Sequence, residues 1–191
     1  SDSGCWLADN GVLPILKRQD FPDPPKPDNK CVLIYSDCNA TNSKKIETCT
    51  SLASLPFSNE KSYRINTGVF KGRKIYLFDE ENCNGGRMYY DGEETCYDAK
   101  IRSLAIMPTF QIKADCFYAF ENGCMLGNHI EICNVKKYDF NGFKVGALIL
   151  GSSLKRAKLT SLTNSSISVS DQITFSIYSF MYQQVRTIEI Q

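Results

Sequence analysis

Nine cysteines are the most chemically distinctive residues of this 191-residue chain. They could form disulfides, remain as reduced thiols, or hold zinc. Zinc sites favour Cys-x-x-Cys spacing and histidine ligands, and the sequence has no such spacing and only one histidine, His129. The cysteine density therefore favours disulfides and an oxidising, secreted location.

The sequence offers little that could catalyse a reaction. It has no Gly-x-Ser-x-Gly, no phosphate-binding loop and no His-Glu-x-x-His. A cysteine nucleophile would need His129 as its base, and His129 falls in a predicted strand. We therefore predict that the protein is not an enzyme and has no catalytic residues.

Charge and hydropathy exclude other classes of function. The formal net charge is +1, which gives no footprint for nucleic acid. The longest apolar run is the length of a strand, so we expect no membrane span.

The clearest pattern in the chain is an internal repeat of about 42 residues. Tyr35, Phe78 and Phe120 each end a short apolar run, and they lie 43 and 42 residues apart. Gly85 and Gly127 follow the second and third of these anchors by seven residues, where a positive φ would explain the choice of glycine.

The far ends of the repeats agree as well. Ser103 lies 25 residues after Phe78, and its Arg-Ser pair is matched by an Arg-Thr pair ending at Thr187. Counting back 25 residues from Thr187 reaches Leu162, so a fourth, degenerate unit has leucine in place of the aromatic anchor. In the third unit Gly146 takes the serine position and has no hydroxyl.

This combination resembles the βγ-crystallin motif: an aromatic residue at the end of the first strand, a glycine seven residues later and a serine about 25 residues after the aromatic. The resemblance covers Asn29 to Gln191 and is most specific in the second and third units. It implies that the glycine lets the first hairpin fold back over the sheet, that the aromatic packs on that corner, and that the serine hydroxyl bonds the hairpin backbone. In the third unit that bond must be absent or replaced.

The resemblance and the strand pattern together predict the fold class. Short segments rich in β-branched and aromatic residues alternate with turn signals such as Asp91-Gly92. An immunoglobulin-like sandwich is disfavoured by the repeat and by the missing Cys…Trp…Cys pattern. We expect an all-β chain with two βγ-crystallin-like double Greek-key β-sandwich domains, at 29–109 and 110–191. Residues 1–28, which include much of a proline-rich stretch, are predicted to form an extended N-terminal arm.

Six cysteines fall in pairs that flank the hairpin after each anchor. We predict the disulfides Cys38–Cys49, Cys83–Cys96 and Cys124–Cys133. Cys5, Cys31 and Cys116 remain, and Cys5 is expected to bond with Cys31 or Cys116. The odd thiol would either form an interchain bridge, giving a disulfide-linked homodimer, or stay buried and free.

Many proteins of the family that this chain resembles bind calcium through a six-residue stretch: two Asn or Asp, two variable residues, Ser or Thr, then Ser. The second unit offers Asp98 to Ser103, and only these two end residues conform. Ala99 has no oxygen ligand, and Arg102 puts a cation at a ligand position. The other units do not conform, so we predict no intact calcium site and no cofactor.

Two sequons, at Asn39 and Asn164, predict glycosylation on surface loops. Together with the disulfides they favour a secreted, non-enzymatic binding protein whose surface loops engage an extracellular protein or glycan. The resemblance also permits a secreted toxin or protease inhibitor, and a structural coat or matrix protein.

Overall fold

The computed structural model describes residues 12–14, 31–37, 44–56, 63–67, 75–90, 96–97 and 100–191. Within them the regular elements are β-strands, apart from a 3₁₀ turn at Glu81–Cys83. In this part of the chain no helix has the length and apolar character to span a membrane. The chain divides into two compact units, Ser1–Pro108 and Thr109–Gln191.

Unit 1 holds two four-stranded sheets, in the orders β3-β2-β4-β7 and β1-β6-β5-β8. All their pairings are antiparallel except that of β1, which runs parallel to β6. The strands are β1 (Val12–Pro14), β2 (Val32–Tyr35), β3 (Lys45–Thr48), β4 (Tyr63–Thr67), β5 (Ile75–Phe78), β6 (Arg87–Tyr90), β7 (Cys96–Tyr97) and β8 (Ser103–Ile106).

Unit 2 also holds two four-stranded sheets, in the orders β10-β9-β12-β15 and β11-β16-β13-β14. All their pairings are antiparallel. The strands are β9 (Cys116–Phe120), β10 (His129–Cys133), β11 (Lys137–Asp139), β12 (Ala147–Leu150), β13 (Ala157–Ser161), β14 (Ser166–Val169), β15 (Ile173–Thr174) and β16 (Val185–Ile190).

The two repeats of a unit exchange strands, because the third strand of one repeat pairs in the sheet of the other. In unit 2, β11 of the third repeat joins β13, β14 and β16 of the fourth, and β15 of the fourth joins β9, β10 and β12 of the third. In unit 1, β7 of the second repeat joins the sheet of the first, while the reciprocal strand is reduced to one bridge, Leu52 to Leu104. Each unit therefore has two four-stranded sheets, as the resemblance to the βγ-crystallin motif implies.

Both units bury an apolar cluster on the inner faces of their sheets. In unit 1 the cluster includes Ile34 of β2, Leu77 of β5 and Leu104 of β8. In unit 2 it includes Phe117 of β9 and Leu159 of β13. On β13 buried and more accessible residues alternate, because successive side chains of a strand point to opposite faces of the sheet.

The disulfides correct the predicted pairing. Cys31 bonds to Cys49 and Cys116 bonds to Cys133, with Cα atoms 4.1 Å apart in each pair. The predicted bonds Cys38–Cys49 and Cys124–Cys133 are therefore wrong, and so is a bond from Cys5 to Cys31 or Cys116.

The reason for the error is strand register. The first hairpin pairs Val32 with Thr48, which puts Cys31 opposite Cys49, and the third repeat pairs Cys116 directly with Cys133. Cys124 lies in the hairpin connection, whereas Cys133 lies at the far end of β10, so the chain carries them apart.

The other cysteines are only partly described. Cys83 and Cys124 are disulfide-bonded. The side chains of Cys5, Cys38 and Cys96 lie outside the described residues, so the Cys83–Cys96 bond stays a prediction.

Peptide mapping of the unreduced protein tests this register. We expect cross-linked peptides that contain Cys31 with Cys49 and Cys116 with Cys133, because each pair faces across an antiparallel ladder. Recovery of a Cys124–Cys133 peptide from freshly folded protein would contradict the strand register of β9 and β10.

Candidate recognition surface

In the second repeat, Ser103 bonds the folded hairpin at two points. Its hydroxyl donates to the carbonyl of Glu80 at 2.6 Å and accepts from the N–H of Cys83 at 2.9 Å. Ser103 is fully buried at the start of β8, and the anchor Phe78 is 1% exposed. The hydroxyl therefore satisfies two backbone groups that the fold-back withdraws from water.

Gly85 provides the conformation that this fold-back needs. Its φ is +79°, and a Cβ there would lie 2.1 Å from Oδ1 of Asp79. That carboxylate accepts from the N–H of Gly86 at 2.9 Å. Burial raises the pKa of Asp79 above its ordinary value, although the hydrogen bond from Gly86 opposes the rise.

The third repeat has the same fold-back but a different attachment. Phe120 is 2% exposed, and Gly127 again has a φ of +79°. At the serine position, Gly146 donates its N–H to the carbonyl of Phe120 at 2.7 Å. A Cβ on Gly146 would lie 2.4 Å from the carbonyl oxygen of Glu121, so the hairpin backbone fills the space that a serine side chain would need.

Two side chains from the fourth repeat replace the missing hydroxyl. The amide Nε2 of Gln183 donates to the carbonyl of Glu121 at 2.8 Å. The hydroxyl of Tyr182 accepts from the N–H of Gly123 at 3.1 Å. The segment before β16 thus holds the hairpin of the neighbouring repeat.

The first and fourth repeats depart from this pattern in different ways. Tyr35 is buried at 7% exposure, and the next residue, Ser36, closes its hairpin by accepting from the N–H of Lys44 at 3.0 Å. Leu162, by contrast, is 56% exposed and does not serve as an anchor.

A tight turn replaces the fold-back in the fourth repeat. Ser161 accepts from the N–H groups of Thr163 and Ser165 at 3.2 and 3.0 Å. Thr187, which takes the serine position of the motif in this repeat, lies inside β16 opposite Thr160 and Asp139. A serine that begins a Ser/Thr turn was a sequence signal for this arrangement.

The segment that holds the third hairpin also exposes two aromatic rings. We call residues 175–184 the aromatic loop. Tyr178 is 65% exposed and Phe180 is 49% exposed, and their rings lie edge to face with centroids 5.2 Å apart. The N–H of Leu162, a third exposed apolar residue, donates to the carbonyl of Gln184 at the end of this loop at 2.8 Å. These three are the exposed large apolar side chains of the described residues.

Buried neighbours fix the aromatic loop. Ile177 and Met181, on either side of the aromatic pair, are 1% and 0% exposed. The N–H groups of Ile177 and Gln183 donate to the carbonyls of Gly146 and Val145, both at 2.8 Å. The exposed rings are therefore presented by a loop that is anchored at several points.

Charge is almost absent from this part of the chain. From Leu159 to Val185 the only charged residue is Asp171, whereas 23% of the whole chain is charged. The sequence pattern does not point to Tyr178 and Phe180, because the apolar and β-branched residues from Ile173 to Tyr178 are typical of a strand, whereas the strand ends at Thr174. The lack of charge is the sequence feature that marks this stretch, although a buried strand can show the same feature.

In the degenerate calcium stretch, the described side chains of Arg102 and Ser103 bond to other groups of the protein. Asp98 lies outside the described residues, and the hydroxyl of Ser103 makes the two backbone bonds given above. Arg102 pairs with Glu81, with 3.1 Å between guanidinium nitrogen and carboxylate oxygen. Ser54 donates to the same oxygen at 3.3 Å. An arginine thus neutralises the carboxylate that lies beside this stretch.

A cluster of Cys116, Glu131 and Cys133 brings together three groups of metal-ligating type. Its two sulfur atoms are joined in a disulfide and cannot act as thiolate ligands. Glu131 instead forms an ion pair with Lys113, with 3.3 Å between nitrogen and oxygen. Hydrogen bonding with the Tyr118 hydroxyl, and to a smaller extent with Lys113, holds the pKa of Glu131 below its ordinary value. His129 stacks on Phe110, with ring centroids 4.8 Å apart.

The described sequon lies on an exposed turn. Asn164 is exposed between β13 and β14 with a φ of +65°, and its side-chain oxygen accepts from Arg186. This turn is followed by β14. Asn39 lies outside the described residues, and glycosylation at both sites stays a prediction.

Comparison with known proteins finds a likeness among solved structures. No protein-family model matches the chain, and no curated protein matches it. Among solved structures, Geodin, a βγ-crystallin from Geodia cydonium, is similar, with 10% sequence identity and a TM-score of 0.39. The match covers 85% of this chain and 100% of Geodin.

Replacing Ser103 by alanine tests the hydroxyl that holds the second hairpin. We expect Ser103→Ala to lower the free energy of unfolding by about 1–3 kcal/mol, because the Cys83 N–H is left buried without its partner. Urea unfolding of the unreduced protein measures this, with the exposed Ser152→Ala as the matched control. Equal stability of the two variants would show that the hydroxyl is dispensable.

Placing the serine of the motif in the third repeat should lower the stability of the protein. We expect Gly146→Ser to destabilise the protein by about 1–3 kcal/mol, because its Cβ would overlap the hairpin backbone. The same unfolding measurement applies. A gain in stability would mean that the hairpin can move aside and accept the hydroxyl.

Proposed function

We propose that this chain is a secreted, non-enzymatic binding protein whose recognition surface is the aromatic loop of unit 2. The observation that carries the proposal is the exposure of Tyr178 and Phe180 on a segment whose neighbouring residues are buried. Exposed apolar groups on a rigid support are typical of interaction sites, and aromatic residues dominate the energetics of many interfaces.

Rigidity is the first argument. A loop that is already held in place loses little conformational entropy when it binds. Gln183 and Tyr182 hold the aromatic loop to the hairpin of the third repeat at 2.8 and 3.1 Å, and Met181 packs in the core cluster. The position of the rings is therefore set before any partner arrives.

Ring geometry is the second argument. The rings of Tyr178 and Phe180 are inclined at 83° to each other. Two rings at this angle cannot both lie flat against one sugar face, but together they form a projecting apolar knob. This shape favours a protein partner with a complementary apolar pocket over a glycan.

The covalent framework supports an extracellular setting. Disulfides such as Cys31–Cys49 and Cys116–Cys133 persist in oxidising compartments. They also stabilise small β units whose hydrophobic cores are limited in size. Such a scaffold can hold an exposed loop in a fixed position.

The test compares three immobilised proteins: the wild type, Tyr178→Ser/Phe180→Ser, and a control pair, Lys137→Ser/Lys158→Ser, on the exposed face of the neighbouring sheet. Each is challenged with extracellular fluid and with a glycan array, and bound material is quantified by mass spectrometry. We expect a partner that binds the wild type and the lysine control, with affinity reduced about tenfold or more in the aromatic variant.

Stability separates recognition from folding. Because both rings are exposed, the free energy of unfolding of the double aromatic variant should lie within about 0.5 kcal/mol of that of the wild type. A partner that binds the aromatic variant as tightly as the wild type would overturn the proposed surface. If the wild type and the aromatic variant both inhibit a panel of proteases and neither binds any other partner, the result would instead favour the inhibitor function.

A further inference from the structure

We propose that strand β14 pairs with β14 of a second copy of this chain, forming a two-fold symmetric dimer through the edge of the sheet β11-β16-β13-β14. Within the described residues β14 is hydrogen-bonded only to β13, so its other side is an edge. This inference stands apart from the aromatic loop and uses different residues.

The strand order identifies which backbone groups are free to pair. Ser161 donates its N–H to the carbonyl of Ser165, and Ile167 lies opposite Leu159. Because antiparallel ladders alternate, the N–H and C=O groups of Ile167 point toward β13 while those of Ser166 and Ser168 point away from it. Ser166 and Ser168 therefore offer two donors and two acceptors at the edge.

Composition distinguishes β14 from the other edges of unit 2. Edge strands in monomeric proteins usually carry charges, are very short, or are covered. β10 carries Glu131, which is paired with Lys113, and β11 carries Lys137 and Asp139. β15 is two residues long. β14 has the sequence Ser-Ile-Ser-Val, which carries no charge, and no strand of the part of the chain that the structure describes pairs with its outer edge.

A second copy satisfies this edge without electrostatic cost. With the two-fold axis beside Ile167, Ser166 of one copy lies opposite Ser168 of the other, and each pair exchanges two backbone hydrogen bonds. Serine hydroxyls both donate and accept, so like side chains can meet. The nearest charge along the strand, Asp171, would be eight positions from its symmetry mate, or about 26 Å at the rise of a β-strand.

Apolar contacts would continue across the same edge. Ile167 and Val169 are half-buried and pack against the core cluster of unit 2. In the dimer the two Ile167 side chains face each other as a cross-strand pair and extend the apolar row of the sheet. Neither Tyr178 nor Phe180 is needed for this pairing, so each dimer would display two aromatic loops.

Sedimentation velocity of the full chain tests the proposal. The protein is made without N-glycans, because the predicted sugar on Asn164 would lie two residues before β14. We expect a reversible dimer with a dissociation constant on the order of 0.1 mM, as befits a small interface. Because no charge is buried, the constant should be the same at low and high salt.

Two variants at one position identify the interface. Ser168→Pro removes an outward N–H, which an edge strand tolerates, and should raise the dissociation constant at least about tenfold. Ser168→Ala keeps the N–H and should stay within about twofold of the wild type. Circular dichroism and thermal unfolding establish that both variants are folded.

Three outcomes would overturn the proposal: a wild-type monomer at about 1 mM, ten times the expected constant; a dimer that Ser168→Pro leaves intact; or a dimer that is lost in Tyr178→Ser/Phe180→Ser. The last result would move the interface to the aromatic loop. A monomer that still binds a partner through that loop would end the dimer proposal and leave the proposed function standing.

Discussion

The fold depends on hairpins that turn back over the ends of their own sheets. Such a turn withdraws backbone N–H and C=O groups from water, and buried groups of this kind need partners. Ser103 supplies them in the second repeat, where one hydroxyl serves Glu80 and Cys83. In the third repeat the backbone of Gly146 comes too close for any side chain, so the partners come from Gln183 and Tyr182.

This substitution gives the degenerate fourth repeat a structural role. It has no buried anchor of its own, since Leu162 is exposed and the turn after β13 is held by Ser161. The chain before β16 instead supports the third hairpin from outside. Because Gln183 and Tyr182 must reach that hairpin, Tyr178 and Phe180 lie on a segment with fixed ends. The exposed rings and the structural bonds thus belong to one loop.

The sequence predicts the features that recur in each repeat, such as the buried anchors. It does not predict the features that depend on strand register, such as the disulfide pairing. The spacing of Tyr35, Phe78 and Phe120 predicts three buried strand ends, and all three side chains are buried. The cysteines illustrate the limit, because proximity along the chain suggested Cys124–Cys133 whereas the ladder pairs Cys116 with Cys133. A shift along a hairpin changes every cross-strand neighbour, and no residue type in the sequence reports it.

The proposed recognition surface was harder to predict, because its sequence signal is an absence of charge. Charged residues are spread through the chain, yet Asp171 is the only one between Leu159 and Val185. An uncharged stretch suits a buried strand equally well, so only the exposure of Tyr178 and Phe180 distinguishes a surface from a core. Charge normally keeps exposed edges and loops from associating. Its loss from both the aromatic loop and β14 removes the repulsion that would oppose contact with another molecule at either place.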